Sequence, residues 1–331
     1  MPRREAPHVS PTQVGAGKER VLLVEADAVE AWEVQGLRKL LEPSGVRVEA
    51  AGGHEAVRAA GAAFPKLTLW DPGTSCYTII DRDHRGDDEV ESTWDGGPFA
   101  DGRCGLIWRR HEFESYFLEP ELLTKSAHFR SDRGVDRVWQ HLLKAARQRV
   151  LMDAANLVLK EAREATGRWG LCELSPSDGD FRTVEAAEVA LLGAHDYAAT
   201  SREKRRPLTA KWLRSRFHAW VKLLIEGNGA TALAPGRGQW LQRMAGKELL
   251  GEVISGQFFR VPSFVGDTPI LSQQDLVPVI VGELMERSSG APGVPDQIEP
   301  PADLAAVRDY FRDTQPRRFG LTGTAESPPS Q

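Results

Sequence analysis

Two aspartates one residue apart, Asp81 and Asp83, close the apolar run Cys76-Tyr77-Thr78-Ile79-Ile80. That run is rich in β-branched and aromatic residues, which predicts a buried strand. Side chains alternate along a strand, so both aspartates are expected on one side, near its C-terminal end. Open α/β sheets bind ligands in the crevice beyond such ends. Two carboxylates about 4 Å apart repel by about 4 kcal/mol at an effective dielectric of 20. A divalent cation offsets that repulsion, and an oxygen-only ligand set suits Mg²⁺ or Mn²⁺. Glu25 ends another strand-like run, Arg20-Val21-Leu22-Leu23-Val24. If the two strands are parallel neighbours, three carboxylates meet at one sheet edge. A first strand ending far from the aspartates would count against a cation there. So would a lysine that salt-bridges the aspartate pair shut.

The elements that must position these acids follow in order. After Glu25, the residues Ala31, Trp32, Val34, Leu37, Leu40 and Leu41 recur at near-helical spacing, and Pro43-Ser44-Gly45 stops them. Val46 to Ala50 alternates as a second strand, and His54 to Ala63 reads as a second helix. Strand–helix–strand–helix predicts right-handed crossovers and a parallel sheet. Residues 84–104 are polar and Gly-rich, with a short helix expected from Asp87 to Ser92. Gly105-Leu106-Ile107-Trp108 is expected to be a fourth strand, leading into an acidic segment that contains Glu112 and Glu114. The longest helical pattern covers 133–166, and further helices are expected near 183–200, 208–226, 237–255, 274–287 and 302–313. The fold class is therefore α/β: an N-terminal parallel sheet flanked by helices, followed by a mainly helical region. The expected division is a disordered tail over 1–19, a catalytic domain over 20–125, a helical domain over 126–290, and a helix with a loose tail over 291–331.

Composition narrows the function classes. With 331 residues and 41% hydrophobic content the chain can bury a substantial core. A net charge of −5 means that any nucleic-acid surface must be a local patch. One patch is available: Arg205, Arg206, Lys211 and Arg214 fall in a short stretch with Trp212, Phe217 and Trp220. It reads either as a face that tracks a phosphate backbone or as the solvated side of an amphipathic helix. Cys76, Cys104 and Cys172 form no Cys-x-x-Cys, which excludes a zinc ribbon and points to a reducing, cytoplasmic setting. No apolar run reaches the length of a membrane span. Gly15-Ala16-Gly17-Lys18 imitates a phosphate loop, but Thr12 and Glu19 stand where Gly and Ser or Thr are required. None of His84, His111 and His218 has a His or Cys partner at metal-ligand spacing.

Leu23-Val24-Glu25-Ala26, then Ile79-Ile80-Asp81-Arg82-Asp83, then Arg110-His111-Glu112-Phe113-Glu114-Ser115-Tyr116 together resemble the TOPRIM domain, in the nuclease form found in OLD-family proteins. Ala245-Gly246-Lys247-Glu248-Leu249-Leu250 is similar to a Gly-Lys motif late in those proteins. The likeness is close over about 20–125 and loose beyond. Ala26 replaces the usual Gly, and Val29 stands where many nuclease members carry an acid; Asp27 or Glu30 are the nearby substitutes. The resemblance implies Mg²⁺- or Mn²⁺-dependent phosphodiester cleavage, with Asp81 and Asp83 as metal ligands. Glu25 would complete the metal shell or act as general acid or base. Glu114 would support the shell, or else simply favour a helix N-terminus. Lys247 would stabilise developing negative charge. Stand-alone members resemble nuclease subunits of bacterial phage-defence systems, which implies nucleic acid, a separate ABC-type ATPase chain and a homodimer as partners.

A rival resemblance is to response-regulator receiver domains. Val21 to Asp27 is similar to their acidic cluster, and Phe64 to Gly73 to the strand that carries the phosphorylated aspartate, here Asp71. That reading leaves Asp81-Arg82-Asp83 and Glu114-Ser115-Tyr116 unexplained. A haloacid-dehalogenase-type phosphatase requires Thr or Val where Arg85 stands, and no donor-binding domain accompanies the Asp-x-Asp as a glycosyltransferase would need.

Overall fold

A computed structural model describes residues 19–70, 74–166, 173–193, 209–227, 229–261, 264–265, 268–269, 272 and 274–314. The expected N-terminal tail, apart from Glu19, and the residues Asp71, Arg205 and Arg206 lie outside these. Four strands, β1 (Glu19–Val24), β2 (Val46–Ala50), β3 (Thr74–Ile80) and β4 (Gly105–Ile107), form one sheet in the order β2-β1-β3-β4. Every pairing is parallel. The fold is therefore α/β, a parallel sheet at the N-terminus with a mostly helical remainder.

Helix α1 (Trp32–Leu41) joins β1 to β2, and α2 (His54–Trp70) joins β2 to β3 on the far side of β1. Right-handed crossovers in opposite directions put the two helices on opposite faces of the sheet. With both faces covered, β1 reads as a nearly continuous apolar run, and Leu22 and Val24 are fully buried. Helix α2 is longer than its expected end at Ala63. Phe64–Trp70, which the receiver resemblance requires to be a strand, is the last part of this helix. An apolar run of this length fits either state, and the tertiary context selected helix.

Helix α3 (Asp87–Trp94) is followed by β4, then by a single 3₁₀ segment, Phe113–Phe117, where a helix start was expected. The C-terminal half supplies α4 (Val135–Thr166), α5 (Val184–Gly193), α6 (Ala210–Ile225), α7 (Gly246–Ser255), α8 (Val277–Ser288) and α9 (Ala302–Asp313). It also holds a two-residue antiparallel ladder, Phe264–Val265 with Thr268–Pro269, which the sequence pattern does not reveal.

One apolar core runs from the sheet into these helices. Gly36 of α1 would place a Cβ 2.9 Å from the Phe113 ring and 3.3 Å from Val281, so only glycine lets α1 and α8 meet there. Helix α9 returns to the sheet. Tyr77 of β3 stacks edge-on against Phe99 and Phe311, each with ring centroids 5.0 Å away. Buried Arg20 of β1 donates to the Phe311 carbonyl at 2.6 Å. The last described helix thus closes the sheet face over which the first strand runs. Among the described residues, no helix is long and apolar enough to cross a membrane.

Phe311 is fully buried in this aromatic cluster. Phe311→Ala is expected to destabilise the fold by about 3–5 kcal/mol, the usual cost of removing a buried aromatic side chain. Urea unfolding followed by tryptophan fluorescence measures this. A loss below about 1 kcal/mol would show that α9 is not needed to close the sheet.

Candidate functional site

The parallel register sets the site. Val24 pairs with Ile79, so Glu25 and Asp81 both lie beyond the C-terminal ends of two neighbouring strands, with Asp81 one residue further along than the position level with Glu25. The Asp81 amide donates to Glu25 Oε2 at 3.3 Å. Glu25 thus meets Asp81 through the Asp81 backbone amide. Asp81 Oδ1 is buried and has no hydrogen-bond partner.

The chain turns sharply after Asp81. Asp83 takes a left-handed conformation (φ 51°), and the amides of Arg82 and Asp83 donate to the His111 carbonyl at 3.0 and 3.3 Å. Two buried arginines pin this turn from inside. Arg82 donates to the Arg109 carbonyl at 2.5 Å and pairs with Asp87. Arg85 donates to the Asp81 carbonyl at 2.8 Å. From the helical half, Arg243 donates to the Arg85 carbonyl at 2.5 Å and pairs with Asp87 at 2.9 Å. The residues between and after the aspartates therefore build the turn that presents them.

Lys160 of α4 bridges Asp83 Oδ1 at 2.6 Å. This meets in part the condition that counts against a cation. The pair is not shut, because Asp81 keeps an unpartnered oxygen, but Asp83 already has a cationic partner and is not a free ligand. Against the burial that would raise it, Lys160 and then His111 hold Asp83 well below the usual carboxylate range. Asp81 moves the other way. Burial, then the charges of Glu33, Glu112, Asp83 and Glu25, push its pKa well above the usual value.

Three further acids face this edge. Glu33 of α1 is buried and accepts from Trp108 Nε1 at 3.0 Å. Glu112 precedes the 3₁₀ segment and accepts the Lys247 amide at 2.6 Å. Burial and neighbouring acids push both Glu33 and Glu112 up to about 8. Glu114 is also raised, chiefly by burial. His111 is buried, and burial followed by the Lys160 charge drives it down to about 3, so its ring is neutral near pH 7. Its Nε2 lies 3.4 Å from Lys160 Nζ, while its Nδ1 is buried without a partner.

Lys247 joins the site for a packing reason. It sits in the first turn of α7, and a Cβ on the preceding Gly246 would fall 2.3 Å from Ser115 Oγ and 2.5 Å from the Ser115 amide. Only glycine allows that approach, which places the Lys247 amide on Glu112. The Lys247 ammonium lies 5.5 Å from the Trp32 ring centre, and its charge acts on Glu114.

Other expected positions fare differently. Ala26 is buried and its carbonyl accepts the Gly52 amide at 2.9 Å. It has no positive φ, so a glycine is not needed there. Val29, Asp27 and Glu30 are exposed, and the acid that α1 contributes is Glu33 instead. In the basic stretch, Arg214 pairs with Glu188 at 2.5 Å and Arg216 with Glu161 at 2.5 Å, so part of that face is internally neutralised. Lys211 is exposed. Glu33, Glu112, His111 and Lys160 were not singled out as site residues from the sequence. Signals for two of them existed: Glu33 lies on the buried stripe of α1 with Leu37 and Leu40, and Arg149, Asp153, Asn156 and Lys160 recur at helical spacing as one polar line along α4.

The donor set suits a hard cation in its chemistry: carboxylate oxygens, a buried oxygen without a donor, and acids that repel one another. No group of three or more His, Cys, Asp or Glu side chains is already drawn together for a metal among the described residues. Glu25 and Asp81 are the members that would hold one, with Glu114 in support and Asp83 once released by Lys160.

A pH dependence follows with a definite sign. Glu33 and Glu112 bind protons more tightly folded than unfolded, so their protonation stabilises the fold, and that stability is lost as pH rises toward and past about 8. His111, depressed to about 3, contributes a rising term only below about 6.5, and Asp83 only below its ordinary range near 3.8. Between pH 6.5 and 8.5 the glutamates therefore dominate among these four. In EDTA, stability is expected to fall by about 1–3 kcal/mol across that window, and Mg²⁺ or Mn²⁺ to restore more of it at pH 8.5 than at 6.5. Calorimetric melts with and without metal measure both; a flat profile would remove the buried-acid account. No protein-family model matches this chain, and no curated protein matches it either.

Proposed function

We propose that this chain is a metal-dependent nuclease of TOPRIM type that cuts phosphodiester bonds in DNA or RNA. The observation that carries the reading is the contact between Glu25 and Asp81 at adjacent parallel strand ends, with Asp81 Oδ1 buried and unpartnered. A structural acid cluster gains nothing from such an oxygen, since an unsatisfied buried polar atom costs about 1–3 kcal/mol. Sites that bind ligands retain such groups.

When bound between Glu25 and Asp81, Mg²⁺ or Mn²⁺ supplies polarisation of a phosphoryl oxygen and a water of lowered pKa. The protein's own groups do the rest. Lys247, at the start of α7, brings positive charge to the same edge, suited to the charge that develops on a scissile phosphate. Glu112, protonated up to about 8, carries a proton within the site that a departing oxygen can accept. Neutral His111 adds no charge to compete with the lysines. Glu25 serves as a ligand or as the proton carrier beside it.

The same reading takes bacterial phage defence as the setting, with a separate ABC-type ATPase chain and a second copy of this chain as partners. The motif residues support it; of the stretch that the receiver resemblance takes as a strand, Phe64–Trp70 is helical.

Purified protein with Mg²⁺ or Mn²⁺ is expected to cut DNA or RNA, and EDTA to stop it. Glu25→Gln and Asp81→Asn are each expected to lower the rate about hundredfold or more, about 2.7 kcal/mol of transition-state stabilisation. Gel assays of cleavage with matched melting curves measure this. Equal cutting by the variants would reject the proposal.

A further inference from the structure

A cavity of about 330 Å³ opens beside the acid cluster, between α4, the segment 173–176 and the start of α7. We propose that it takes one unpaired nucleotide, so that the substrate is a single strand or a locally unpaired one rather than an intact duplex. This inference rests on the nuclease reading and specifies its substrate.

Three features support it. The end nearest the acids carries Lys160 and Lys247, placed there by the Asp83 bridge and by the Lys247 amide on Glu112. Met152, Leu157 and Leu174 add apolar surface to the lining, between Lys160 and the internally paired Arg149 and Asp153. Met152 and Lys160 lie eight residues apart on one helix, about 12 Å at 1.5 Å per residue. A phosphate held at the lysines and a base laid against the apolar side chains fit that lining. The volume lies at the small end for ligand pockets, about 300–1,000 Å³, so a duplex cannot enter.

The charge balance narrows the choice. Arginines and lysines in the lining equal the aspartates and glutamates in number. A groove that tracks several phosphates carries a clear positive excess instead. The wall is also built rather than incidental. Asn156 Nδ2 donates to the Leu174 carbonyl at 3.0 Å, and Asn156 Oδ1 accepts the Leu174 amide at 2.7 Å. Those two bonds fix Asn156 as part of the wall, and the apolar side chains Met152, Leu157 and Leu174 would meet any base alike. A nucleotide drawn out of a stack needs such a receiving pocket.

The test uses binding in EDTA, so that it does not depend on cleavage. Fluorescence anisotropy with a short labelled oligonucleotide is expected to show at least about tenfold tighter binding of the single strand than of the same sequence as a blunt duplex. Titration calorimetry with the four 5′-nucleoside monophosphates is expected to show one site with little base preference. Met152→Trp fills the cavity, and Pro176→Trp crowds its exposed rim with less risk to the fold. Each is expected to weaken monophosphate binding about tenfold or more. Duplex bound as tightly as single strand, or monophosphate binding unchanged in folded Pro176→Trp, would overturn the inference. Nucleotide binding without any metal-dependent cutting would sink the nuclease reading and leave the pocket standing.

Discussion

Asp81 follows the last residue of β3 with its amide given to Glu25 and its Oδ1 given to nothing. A carboxylate desolvated in this way survives only if its surroundings are rigid enough to hold it, because repulsion from neighbouring acids acts to spread the edge apart. Much of the surrounding structure answers that demand. Arg82 and Arg85 pin the turn from within, and Arg243 pins it from the helical half. Their guanidinium groups bond to backbone carbonyls and to Asp87, and Arg85 lies only at 3.7 Å from Asp83. They brace the loop while leaving the acids largely uncompensated.

The second half of the chain is accordingly part of the site. Helix α4 brings Lys160 to Asp83, and α7 brings Lys247 to Glu112. Asp303 of α9 accepts from Tyr116 Oη at 2.8 Å and pairs with Arg109 at 2.9 Å, tying the last helix to the segment that carries Glu112 and Glu114. A carboxylate edge built on the sheet alone would present acids and no cation. The phosphoryl chemistry proposed for this edge would need both, and the positive groups come from elements distant in sequence.

That distance explains what could be read early and what could not. Alternating and continuous apolar runs specify strands locally, so the four parallel strands, and with them the placing of Glu25 and Asp81 beyond neighbouring strand ends, were legible from the sequence. Long helices over 135–166 and 302–313 were equally plain from their period. Phe64–Trp70, taken as a strand only by the receiver resemblance, instead extends α2 beyond its expected end at Ala63. Glu112 stood two residues from the acid chosen, Glu114. Which of them meets Lys247 depends on a glycine contact between Gly246 and Ser115, which no local pattern contains. Lys160 shows the same limit: its polar line on α4 signals a buried polar contact, but the partner lies 77 residues away.

Lys160 is where the two charge states of this edge meet. Its ammonium is raised despite burial, mainly by Asp83 and Glu173, so it stays charged across the physiological range. Removing one partner from a buried ion pair ordinarily costs about 3–5 kcal/mol, because the other charge is left without compensation. Lys160 is protected from that cost. Glu173 lies 3.8 Å from the Lys160 ammonium, at the wall of the cavity. If Asp83 turns toward a cation, the ammonium retains a carboxylate and presents its freed face to whatever anion occupies the pocket. Under the proposed function, a cation taken up by Asp83 would add its charge to an edge that keeps the Lys160 ammonium, which would suit that edge to an anionic group beside it.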